Sequence, residues 1–240
     1  MTTETANTRG PLAFVGSGEY LPVMAPIEGE LLRGRAPRYV QLATAAVPDG
    51  PEVVAKWHRL GSEQAQRLGV EPIIVPVATR DDANDPALAA LVEGAGLVYL
   101  SGGHPGFLAD TLRETLVWDT IVQQWHAGAA LAGCSAGAMV MGSWVPSIRH
   151  PRGDGGTAGL AVVKDLRIIP HFDAYFSKVP NIVARFMAGG SSTASLIGID
   201  EETALLGGPG HWVVHGSGAV WVLTADGQVP YYAGSDVPLP

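Results

Sequence analysis

A single cysteine, Cys134, stands in the 240 residues, so no intramolecular disulfide framework can staple this chain. Charge is scarce as well: 16% of residues are Asp, Glu, Lys or Arg, and the net charge is −8. An acidic chain with no basic stripe lacks the electrostatic footprint of a nucleic-acid binder. No apolar run is long enough to span a bilayer, which excludes a membrane helix as the organising element. The opening MTTETANTRGP is polar and has no apolar signal core, so residues 1–10 read as a flexible tail and the expected location is the cytoplasm. Metal and cofactor signatures are missing too: there is no H-E-x-x-H, no paired C-x-x-C and no GxxxxGK[ST]. No cofactor and no metal are expected.

What is present is an apolar majority. Hydrophobic residues make up 47%, enough to bury a sizeable core, and no linker interrupts residues 11–240, which read as one domain. Short apolar strands alternate with helical patterns. Strands are expected at 12–15, 39–46, 72–77, 97–100, 129–132, 166–170 and 195–199. Helices are expected at 52–68, 86–92, 180–187 and, mostly, 108–125. Residues 212–215 and 219–224, around Gly216-Ser217-Gly218, read as a C-terminal β-hairpin, with Tyr231-Tyr232 as a short last strand. Strands apolar throughout, alternating with helices, indicate an α/β fold: a mostly parallel sheet covered by helices on both faces. Ligands in such sheets bind beyond the C-terminal strand ends.

The chain is organised around residues 130–141, ALAGCSAGAMVM, where an apolar strand breaks at Gly133-Cys134-Ser135-Ala136-Gly137 and turns apolar again. Ser135 is the centre of G-x-S-x-G, the strand–turn–helix pattern that raises a serine nucleophile on a tight elbow. Cys134 reads as a small buried apolar residue pointing away from the site. A serine nucleophile needs a base, and the base needs an orienting group. Of seven histidines, His171 is the best base, because it ends an apolar strand at the functional edge. Asp154, in the polar, Gly-rich stretch 147–157, is the first choice for the acid. Glu201, Asp173 and Asp165 compete with it. An oxyanion would find donors in the backbone N–H groups of Ala136 and Gly103, where the absence of a Cβ at Gly103 permits close approach. Gly102 and His104 adjoin that strand end and are candidate substrate contacts.

Four segments occur in order: YLSGGHPGFL at 99–108, GCSAGA at 133–138, IPHF at 169–172 and GIDEETAL at 198–205. Together they resemble the S51 family of serine peptidases, which includes aspartyl dipeptidase and cyanophycinase and has a fold similar to class I glutamine amidotransferases and flavodoxin-like proteins. The resemblance implies Ser135 as nucleophile, His171 as base, an acid in the loop between them (Asp154), and Asp200, Glu201 and Thr203 lining or supporting the site. Glu201 is the reserve acid. It implies a small peptide substrate, cleaved at a peptide or isopeptide amide such as an Asp-X dipeptide through an acyl-enzyme, and a monomer or homodimer. The G-G-N-Q pattern of many cyanophycinase-like members is replaced here by Gly102-Gly103-His104-Pro105, and Asp173-Ala174-Tyr175 stands where an Arg-rich pattern would follow the histidine. The resemblance thus carries the hydrolytic machinery and not the cyanophycin substrate. Other readings of the same residues are a small-ester hydrolase and a non-catalytic ligand-binding member of the fold.

Overall fold

The computed structural model describes residues 9–146, 156–176, 194–208, 210–224 and 226–239. A seven-stranded sheet forms its centre. In chain order its strands are β1 (Leu12–Val15), β2 (Arg38–Leu42), β3 (Glu71–Ile74), β4 (Leu97–Leu100) and β5 (Ala130–Cys134), then, after the strands of the smaller sheets, β10 (Thr203–Gly208) and β11 (His211–Gly216). Side by side they run β11-β10-β1-β5-β4-β2-β3. The five strands from β1 to β3 are mutually parallel, and β10 and β11 add antiparallel at one side.

Side-chain alternation divides the sheet between two cores, as the strand period of two requires. Ala13, Val15, Tyr39, Tyr99, Ala132 and Cys134 face the helices α1 (Ala25–Leu32) and α2 (Pro51–Arg67). Leu12, Phe14, Val40, Leu42, Val98, Leu100 and Leu131 face the other way. That second core also takes the short helices α3 (Arg80–Ala83) and α4 (Pro86–Ala90), then α5 (Pro105–Leu112), α6 (Leu116–His126) and α7 (Ala136–Val140). A two-stranded ribbon, β6 (Trp144–Pro146) with β7 (Gly156–Ala158), follows α7. A second sheet, ordered β13-β12-β9-β8, is built from β8 (Leu166–Ile169), β9 (Ser195–Ile199), β12 (Ala219–Thr224) and β13 (Gly227–Tyr232). Its Ile168, Ile197, Ile199 and Val220 join the core shared with α5–α7. Among the described residues no helix is long and apolar enough to cross a membrane.

The α/β architecture expected from the sequence is present, with several corrections. Strand β2 ends at Leu42, where its pairing with β4 ends at Leu100, and Thr44–Asp49 winds as a 3-10 turn instead of extending to residue 46. Strand β3 stops at Ile74, two residues before Pro76, which has no N–H for a ladder. The helical stretch at 108–125 is two helices, split where Glu114 takes a positive φ of 56° and Thr115 becomes the next N-cap. A C-terminal hairpin exists, but its strands are β12 and β13. The expected partners 212–215 and 219–224 belong to different sheets: β11 pairs with β10, and β12 with β9 and β13. Gly216 turns at φ 106° between them, and the Gly218 N–H bonds to the Thr203 hydroxyl instead of closing a hairpin. Of the tail expected at 1–10, residues 1–8 lie outside the described residues, as does the helix expected at 180–187, while Gly10 is buried and its N–H donates to the Trp125 carbonyl at 2.8 Å.

Candidate active site

The ends of β1, β4 and β5 meet where the sequence places its glycines. Strand β5 passes through the middle of the sheet fully buried and delivers Ser135 directly into α7. Ser135 adopts φ 51°, ψ −109°, a backbone conformation that L residues rarely take and that stores strain at functional turns. The flanking glycines are required by space. A Cβ on Gly133 would lie 2.3 Å from backbone atoms of Gly137, and one on Gly137 would lie 2.1 Å from the Leu100 carbonyl oxygen. The turn therefore closes on itself and against β4, leaving the Ser135 side chain partly exposed above the sheet.

The second sheet supplies the partners. His171 follows β8 after Pro170, and Glu201 follows β9 after Asp200. These strands are adjacent and parallel, with Ile169 opposite Gly198, so both side chains emerge at one edge. The Ser135 hydroxyl stands 3.0 Å from His171 Nε2, and His171 Nδ1 stands 3.0 Å from Glu201 Oε1. A carboxylate can only accept, so Glu201 favours the tautomer with its proton on Nδ1, which presents Nε2 as an acceptor to the Ser135 hydroxyl. His171 has φ 51° and Glu202 φ 52°, so three strained residues border the chain of bonds. Phe172 is packed against Gly198, where a Cβ would lie 2.4 Å from its ring, and it touches Trp221 at 5.7 Å between centroids. The neighbour of His171 is thereby held in the core.

Glu201 has its own support. Its N–H donates to Asp173 Oδ1 at 2.9 Å, and its carbonyl accepts from the Thr203 hydroxyl at 3.0 Å. Asp200 accepts from Trp221 Nε1 and the Ala219 N–H, both at 2.9 Å. Burial raises the Asp200 carboxyl above its usual range, against the lowering effect of those bonds.

The N–H groups of Ala136 and Gly103 have no protein acceptor among the described residues, so both could receive a developing oxyanion. Gly102 adjoins the serine: a Cβ on it would lie 3.4 Å from Ser135 Cβ. Its N–H is already taken by Glu19 Oε1 at 3.0 Å. His104 caps α5 and turns its Nε2 to Asp49 Oδ1 at 2.6 Å. Cys134 is fully buried, as expected, but it is not merely apolar, since its Sγ–H donates to Glu19 Oε2 at 2.7 Å. Glu19 itself was not singled out from sequence; an acidic residue directly after Gly16-Ser17-Gly18 at a strand end is the signal that marks it. Asp154 lies outside the described residues. Among the described residues no cluster of three or more His, Cys, Asp or Glu side chains is arranged to hold a metal.

The model of peptidase family S51 matches residues 15–210, which include Ser135, His171 and Glu201. The chain belongs to peptidase family S51. It is 25% identical over 205 residues to a cyanophycinase of Trichormus variabilis, covering 79% of this chain and 64% of that one. A cyanophycinase of Synechococcus elongatus is 28% identical over 197 residues, covering 75% and 58%. The chain thus spans less than two thirds of the length of these relatives. Among solved structures, a peptidase from an acI-B1 Actinobacterium superposes with a TM-score of 0.89 at 40% identity, over 97% of this chain and 98% of that one. A putative peptidase E protein from Listeria monocytogenes shares the fold, with a TM-score of 0.62 at 16% identity over 87% and 99%.

Proposed function

We propose that this S51 member is a serine-type peptidase acting on a small peptide or isopeptide amide, with Ser135 as nucleophile, His171 as base and Glu201 as the acid. The observation that carries the reading is the continuous Ser135–His171–Glu201 chain, two 3.0 Å contacts on a strained elbow with unclaimed N–H groups beside it. Ser135 Oγ attacks the amide carbonyl while His171 Nε2 takes its proton. The N–H groups of Ala136 and Gly103 receive the oxyanion, and the imidazolium is stabilised by Glu201. The C–N bond breaks as His171 returns the proton to the leaving amine. A water, deprotonated by the same nitrogen, then hydrolyses the acyl-enzyme and regenerates Ser135.

Glu201 takes precedence over Asp154 as the acid because it already occupies the Nδ1 side of His171. The substrate class follows the peptidases and cyanophycinases to which the chain is similar, and an Asp-X or β-aspartyl linkage is the first to be tried. The protein would work as a monomer or homodimer in the cytoplasm, without cofactor or metal. Intact-protein mass after fluorophosphonate treatment tests the reading. One adduct on the wild type, lost in Ser135→Ala and His171→Ala, is expected, followed by turnover of Asp-X dipeptides or β-aspartyl peptides. A folded wild-type protein that takes no adduct and cleaves none of these would overturn it.

A further inference from the structure

We propose that Glu19 is a positioning residue, which aims the Gly103 N–H at the carbonyl attacked by Ser135. The proposal rests on the reading of Ser135 as nucleophile. Glu19 lies in the turn after β1 and is 9% exposed, so its carboxylate needs partners to offset the loss of water. Those partners come from two other strands. Oε1 accepts from the Gly102 N–H at the end of β4, and Oε2 accepts from the Cys134 thiol at the end of β5. One carboxylate thus ties together the ends of β1, β4 and β5, immediately before Ser135 on one side and Gly103 on the other.

The need for such a tie comes from the two consecutive glycines. A Gly-Gly pair has the widest backbone freedom of any dipeptide, so the peptide plane between Gly102 and Gly103 holds no orientation by itself. Here it is clamped from both ends. The preceding amide, Gly102 N–H, is bound by Glu19. The following amide, His104 N–H, donates to the Ala45 carbonyl at 2.7 Å, and a Cβ on Gly103 (φ 139°) would lie 2.3 Å from that same oxygen. With the amides of 102 and 104 committed, the amide of 103 between them is the one left without a protein acceptor among the described residues. Gly102 is also wedged between Glu19 and Ser135, since a Cβ there would lie 2.8 Å from Glu19 Oε1 and 3.4 Å from Ser135 Cβ. A shift of the carboxylate is therefore passed to the strand end facing the serine.

The useful property of Glu19 is the placement of an acceptor, not its negative charge, which would oppose an oxyanion nearby. Glutamine keeps the acceptor at the same reach and removes the charge. Aspartate keeps the charge and withdraws the acceptor by one methylene. The two substitutions therefore separate the properties. The reporter is the fluorophosphonate reaction at Ser135, whose phosphoryl oxygen seeks the same donors as a substrate oxyanion, followed by intact mass to give kinact and KI.

Glu19→Gln is expected to react within about threefold of wild type, and Glu19→Asp at least about tenfold more slowly in kinact, with KI unchanged within about twofold. Glu19→Ala, lacking any acceptor, should fall with Glu19→Asp. A general loss of structure would move KI and thermal unfolding together and would not spare glutamine. Glu19→Asp reacting at the wild-type rate, or Glu19→Gln as slow as Glu19→Asp, overturns the proposal while leaving the Ser135 reading intact. A folded wild-type protein that takes no adduct and cleaves none of the Asp-X or β-aspartyl peptides overturns both, and one that cleaves without taking an adduct is scored by kcat in place of kinact.

Discussion

His171 and Glu201 lie 30 positions apart in the chain and 3.0 Å apart in space, because each follows one of two adjacent parallel strands at nearly the same height. The positions of His171 and Glu201 are thus set by the β8–β9 register, and that of Ser135 by a different sheet. Closing the gap between β5 and β8 is the work of the shared core, where Ile168, Ile169 and Phe172 pack with Ala138 and Met139 of α7. The geometry of the three residues depends on how the two sheets dock, and Glu201, the proposed acid, is the member most easily tested apart from the rest.

Glu201→Ala should leave the fold intact, because the side chain is 45% exposed, yet lower turnover on the order of 10³-fold by releasing the His171 tautomer. Asp154→Ala should change turnover by less than about tenfold if Glu201 is the acid. Steady-state kinetics on any cleaved peptide, or kinact toward a fluorophosphonate, decides between them. The opposite ranking would return the role to Asp154.

The strain at Ser135 should be visible as stability. A non-glycine residue at φ 51°, ψ −109° carries a cost of about 1–3 kcal/mol. Ser135→Gly relieves it and Ser135→Ala does not, so the glycine variant should be the more stable of these two inactive proteins by about 1 kcal/mol, part of the relief being offset by the greater freedom of glycine in the unfolded chain. Urea unfolding of both variants measures the difference. Equal midpoints would mean that the elbow is not strained at this residue.

Gly137→Ala tests the packing beneath the elbow. The added methyl would lie 2.1 Å from the Leu100 carbonyl oxygen, which is backbone and cannot swing aside. A loss of about 2–4 kcal/mol is expected, together with loss of the Ser135 adduct, because α7 must move away from β4. Gly106→Ala, whose nearest atom is the Thr157 methyl at 4.0 Å, is the control and should be nearly neutral.

The parts legible in the sequence are those with a local signal. Ser135 announced itself through the small residues on both sides, and His171 through its place after an apolar strand. Gly102-Gly103 stood out as the break after a four-residue apolar run. Glu201 carried the same strand-end signature after Ser195–Ile199, but only the β8–β9 pairing, a non-local fact, shows which strand end faces His171. Chain order instead favoured Asp154. The hairpin expected at 212–224 is corrected by a non-local fact as well: two apolar runs joined by Gly-Ser-Gly look alike whether they pair or part, and here the Gly216 turn sends them to separate sheets. Helix α1 escaped notice because Pro26 and Gly29 interrupt its pattern, and it forms where Ile27, Leu31 and Leu32 can cover β1 and β5.

Glu28, on α1, gives the chain a pH dependence that is independent of catalysis. It is 2% exposed and packed beside Tyr39 and Gln64, and its carboxylate oxygens have no well-formed hydrogen bond among the described residues. Burial pushes its pKa up to about 7, and the nearby Glu19 pushes the same way. The folded state therefore binds this proton more tightly than the unfolded chain, whose carboxyl titrates near the ordinary value of 4.5. Stability from this group is whole below that value, declines as pH rises toward 7, and is lost above it. The loss between pH 5 and pH 8 should be about 2–3 kcal/mol. Glu28→Gln cannot titrate and should remove that decline, overtaking the wild type in stability above neutral pH. Urea unfolding of both proteins at pH 5, 6, 7 and 8 measures it. Parallel curves would mean that Glu28 keeps its ordinary pKa and that its carboxylate has found partners on ionising.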